Sequence, residues 1–114
     1  MGFSHIKQTL MHLILFQMLR AELHYLNGEH ESARVAYEQS ITSARETENI
    51  NNEALACELF GIFLCENKMI NEGIKQLQMA LEKYRQWGAA RKVRDLEEFI
   101  ESINISHNVW RVRR

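Results

Sequence analysis

The chain has 114 residues, enough for one domain with a modest core, and its 46% apolar and 25% charged content is that of a soluble globular protein. A formal net charge of −1, with five histidines that charge only in mild acid, excludes a general electrostatic drive toward nucleic acid or an anionic membrane.

Proline is absent, glycine occurs five times, and nearly every window repeats its apolar residues with a period near 3.6. The expected fold is all-α: antiparallel helix-turn-helix pairs forming a solenoid fragment of about five helices. The first helix is expected over Ser4 to Leu26, ending at the turn pair Asn27-Gly28. Its stretch LMHLILFQML, Leu10 to Leu19, is half the roughly 20 residues needed to span a bilayer and is interrupted by His12 and Gln17. It reads neither as a membrane span nor as a secretory signal, so a cytoplasmic protein is expected. The apolar residues Leu10, Met11, Leu13, Ile14, Leu15, Phe16, Met18 and Leu19 wrap much of its circumference. A terminal helix of a repeat array normally turns a polar face outward. This one predicts an open apolar surface of roughly 400 Å² or more, to be covered by a preceding repeat or by a partner chain, including a homodimer through the first helix.

The second helix is expected over Glu31 to Glu48, with Ala33, Ala36, Tyr37, Ser40, Ile41 and Ala44 as its inner stripe. The asparagine-rich break Asn49 to Asn52 follows, with Asn51 or Asn52 as the cap of a third helix over Glu53 to Glu66. That helix is apolar along two lines, one through Ala54, Cys57, Gly61 and Leu64 and one through Leu55, Leu59, Ile62 and Phe63. Two apolar sides predict a helix held between neighbours. A fourth helix over Asn71 to Trp87 presents Gly73, Ile74, Leu77, Ala80, Leu81 and Tyr84. Gly88 suits the left-handed backbone that closes a helix, and Trp87 is expected to fold its ring over the core at that corner. The fifth helix is expected over Ala89 to Ile103 with Val93, Leu96, Ile100 and Ile103 inward. Residues 1–105 then form one helical-repeat domain and 106–114 a basic tail that frays. Tyr37, Phe60, Tyr84 and Trp87 are the expected packing anchors.

Two helix pairs superpose forty residues apart. Ala21, Gly28, Ala33, Tyr37 and Ser40 align with Gly61, Lys68, Gly73, Leu77 and Ala80. Small residues fall where helices touch and a large one fills the groove between them, the logic of a tetratricopeptide-type repeat. Its usual period is about 34, Gln17 and Cys57 stand at positions where a large apolar residue is typical, and Lys68 stands where a turn glycine is common.

The run from Leu19 to Glu97 also resembles a helical segment of large signalling kinases, those that carry an AAA-like ATPase module before a GAF sensor and a histidine-kinase region. That family's repeats end in a stretch similar to the one formed here by Tyr84, Trp87, Gly88, Ala89, Lys92, Val93, Leu96 and Glu97. The chain has no phosphate-binding loop, no phosphoacceptor histidine box and no nucleotide-binding glycines. The resemblance therefore implies a non-enzymatic interaction segment of a signal-transduction protein, a remnant or fragment of such a kinase, with no catalytic part.

Candidate chemistry is sparse. Cys57 and Cys65, on one helix with Cα atoms roughly 12 Å apart, are too distant for a disulfide and read as buried apolar side chains. His5 and His12 lie seven apart, and His24 and His30 flank the first turn, without metal-ligand spacing. Glu53, Glu58 and Glu66 read as carboxylates on solvated helix faces. No catalytic, cofactor-binding or metal-ligating residue is assigned, and no cofactor is expected. Charge is uneven: ten acidic against five basic residues lie between Gly28 and Tyr84, and seven basic against four acidic from Arg85 to Arg114. The tail Trp110 to Arg114 mixes an aromatic with three arginines, so contact with nucleic acid is the alternative role for it. A small-molecule or catalytic site between helices is the other alternative, and a protein partner or flanking domain is the expected one.

Overall fold

The structure, a computed structural model, describes the backbone of residues 2–112 and the side chains of residues 9 and 11–108. The described residues form five helices and no strand: α1 Gly2–Leu26, α2 His30–Glu46, α3 Ile50–Glu66, α4 Ile70–Trp87 and α5 Ala90–Val112. The first four follow the expected positions to within a few residues. The third begins earlier, because Asn49, not Asn51 or Asn52, is the cap: its side chain accepts the Asn52 N–H at 3.1 Å. The fifth runs well past the expected end at Ile103, to Val112. Nothing after Gly88 is glycine or proline, and no residue there forces a stop.

The four turns share one geometry. Gly28, Glu48, Lys68 and Gly88 stand twenty residues apart, and each has positive φ. In each turn the following residue returns its N–H to the carbonyl five back: Glu29 to His24, Asn49 to Ala44, Met69 to Leu64 and Ala89 to Tyr84, at 2.8–3.0 Å. The left-handed residue itself donates to the carbonyl three back, which completes a Schellman closure. The next helix starts two residues after the left-handed one, so a turn of only two or three residues folds each helix back on the one before.

Neighbours along the chain pack side by side, and α1 also touches α3. The Cα extents are 60 × 33 × 17 Å. The short axis is two helix diameters at most, so the core is one seam between two rows. Ala33, Ala36, Tyr37, Ser40, Ile41 and Ala44 of α2 are buried in it as expected. So are Ala54, Ala56, Cys57, Phe60, Gly61, Phe63 and Leu64, which place α3 between α2 and α4. Gly61 and Gly73 face each other where α3 and α4 cross, with no room for a Cβ on either. Tyr37, Phe60 and Tyr84 are buried anchors, but Trp87 is 52% exposed. It stacks on Tyr84 at 6.4 Å between ring centres instead of covering the core. Trp87 sits at the last turn of α4, where the left-handed Gly88 carries α5 away before anything can close over the ring.

Candidate interaction surfaces

Several of the titratable groups are tied into packing. Cys57 is fully buried, and burial pushes its thiol up to about 11, away from the thiolate that a nucleophile needs. Cys65 is half-buried and also raised by burial. Glu53, expected on a solvated face, is instead buried at the joint of α2, α3 and α4, bonded by Arg45 Nε at 2.8 Å and faced by Lys83 Nζ at 3.8 Å. Three tyrosines each donate to a carboxylate of another helix: Tyr25 to Glu66 at 2.8 Å, Tyr37 to Glu22 at 2.5 Å and Tyr84 to Glu58 at 2.7 Å. Burial first, and then those carboxylates, raise the tyrosine pKa values. Arg34 bonds Glu72 of α4 while its guanidinium lies 5.5 Å from the Phe60 ring centre.

The described histidines do not gather into one site. His24 Nδ1 meets Glu29 at 3.0 Å, His30 packs edge-on against Tyr25 and Phe63, and His12 is exposed. The His5 side chain and those of Trp110 to Arg114 lie outside the described residues. Among the described residues no three His, Cys, Asp or Glu side chains converge as a metal site. No helix among them is long and apolar enough to cross a membrane.

Two open surfaces among the described residues are largely apolar. The first is a groove of about 760 Å³ between α3 and the second half of α5. Ile62, Cys65, Ile70, Phe99 and Ile103 form its apolar walls, and Glu66, Lys68, Ser102 and His107 its polar edge. It exists because α5 packs on α4, and Lys92 bonds Glu58 of α3 at 3.0 Å, while the α3 and α5 backbones stay apart. The corresponding pair α1 and α3 does touch. The sequence offered no sign of this groove, since it depends on the angle at which α5 leaves Gly88.

The second surface is the outer side of α1. Ile14, Met18 and Ala21 face the core, whereas Met11, Leu13, Leu15, Phe16, Leu19, Leu23 and Leu26 are exposed. The open apolar face expected from the sequence is there. No model of a known protein family, no curated protein and no solved structure matches this chain.

Proposed function

We propose that the chain is a non-enzymatic, tetratricopeptide-like repeat module of the cytoplasm that binds a partner protein or neighbouring domain, of the kind carried by large ATPase-coupled multi-sensor signalling kinases. The observation that carries this reading is the groove between α3 and α5: concave, walled by aliphatic and aromatic side chains, and edged by both signs of charge. Such a groove suits an apolar peptide segment seated by a few anchors, with the polar rim fixing its direction. The pairing of Glu53 with Arg45 and of Tyr84 with Glu58 supports it too, because these groups tie helices together.

The stretch shared with the kinase segment has a structural use here. Gly88 closes α4, Trp87 stacks on Tyr84, Lys92 lies 5.2 Å from the Tyr84 ring centre and Arg85 bonds Glu97 at 3.1 Å. Leu96 is buried and Val93 packs beside it against the core. These residues set the angle of α5 and thereby the width of the groove.

Affinity capture with the wild type and with Phe99→Asp tests the proposal. Phe99 is exposed in the groove, so the variant should keep its helix content and melting temperature. Proteins retained by the wild type and lost by the variant are the expected result. Equal retention by both, or by neither, contradicts it.

A further inference from the structure

We propose that α1 pairs with α1 of a second copy of this chain in a two-fold dimer. This surface is separate from the α3–α5 groove, and the inference does not depend on what that groove binds.

Phe16, Leu19, Leu23 and Leu26 follow each other at spacings of three, four and three, and all are half or more exposed, Leu26 by 80%. That spacing is the seam of a helix packing side by side with another helix. Leu15 and Met11 flank it and widen it. Together these side chains leave on the order of 700 Å² open, close to the ~800 Å² per partner of a stable interface and above what a monomer usually exposes.

The repeat itself argues against a further helix of the α2 type as the occupant. α3 receives α2 through Glu53, which bonds Arg45, and through Phe60 and Phe63, whose rings lie 5.7 and 5.2 Å from that of Tyr37. Ala56, fully buried on the same face, lets the two helices close. Forty residues earlier α1 carries Leu13, Phe16, Arg20 and Leu23 at those positions. The carboxylate that would hold an arginine is a leucine, and the small contact residue is a phenylalanine. A face of this kind fits another aliphatic seam. A second α1 supplies one by symmetry, since a two-fold contact needs only one self-complementary patch. Such a contact brings Leu19, mid-seam, close to its own copy.

Sedimentation equilibrium of the full chain tests this. At about 50 µM the wild type should be a dimer, and Phe16→Glu with Leu23→Glu should raise its dissociation constant at least about 100-fold. Both positions face solvent, so circular dichroism should be unchanged. Leu19→Cys should form a dimer disulfide under mild oxidation, where Ile105→Cys, exposed on α5, does not. The cysteine arm decides the matter if the double variant loses helix. A monomeric wild type, a dimer indifferent to the double variant, or equal cross-linking from Ile105→Cys overturns the proposal. Phe99→Asp should remain dimeric, so failure here leaves the groove untouched, and the reverse.

Discussion

Replacing Gly73 by alanine tests the tightest contact in the molecule. Within a helix, where Gly73 is the fourth residue of α4, this change ordinarily stabilises by up to about 1 kcal/mol, because glycine has more backbone freedom to lose on folding. Here a Cβ would stand 2.9 Å from the Gly61 carbonyl oxygen, 3.0 Å from the Cys65 nitrogen and 2.5 Å from the Cys65 sulfur. The sulfur can rotate away, but the two backbone atoms move only if α3 and α4 part by several tenths of an ångström. Overpacking of this kind costs about 1–3 kcal/mol, and a clash with backbone belongs at the upper end. The expected net loss is about 1–2 kcal/mol, or a melting temperature lower by roughly 4–8 °C for a domain of this size. Urea denaturation followed by circular dichroism at 222 nm, a wavelength set by helical peptide absorption, reads it. A Gly73→Ala variant as stable as the wild type, or more so, would refute the close crossing.

The turns give a change of opposite sign. Lys68 holds φ at 68°, so Lys68→Gly should stabilise by about 1 kcal/mol, while Gly88→Ala, at φ 86°, should destabilise by a similar amount in the same denaturation assay. Stability should also fall in alkali. The folded Cys57 thiol stays protonated up to about 11 against 9.0 for a free thiol, so stability present below pH 9 is lost as pH rises toward 11, by about 2 kcal/mol. Tyr25, Tyr37 and Tyr84, also raised, steepen that fall, and Cys57→Ala should flatten its first part in denaturation curves taken from pH 8 to 11. Glu53→Gln should cost about 1–2 kcal/mol by thermal melting, less than a fully buried pair, because Arg45 and Lys83 keep access to water.

Much of the fold can be read from residue spacing. The α2 stripe is legible because small residues at helical intervals stand against a charged remainder, and the open side of α1 because leucines occur where such a remainder should be. Gly28 and Gly88 announce their turns, but Glu48 and Lys68 take the same backbone without a glycine to mark them. There the chain accepts local strain because the helices on either side determine the corner. Trp87 misleads for the opposite reason: its size suggests burial, yet its place on the last turn of α4 leaves nothing above it. The joint around Glu53, the tyrosine–carboxylate bonds and the groove below Phe99 connect residues far apart in sequence, and no local pattern encodes them.

The claim that this protein works by holding another is tested most directly by site-specific photo-crosslinking in cells. A photoreactive phenylalanine is placed at position 99, in the groove, and for comparison at Glu82, exposed on α4. Position 99 is predicted to trap a discrete protein partner that position 82 does not. The same adducts from both positions, or none from either, would contradict it.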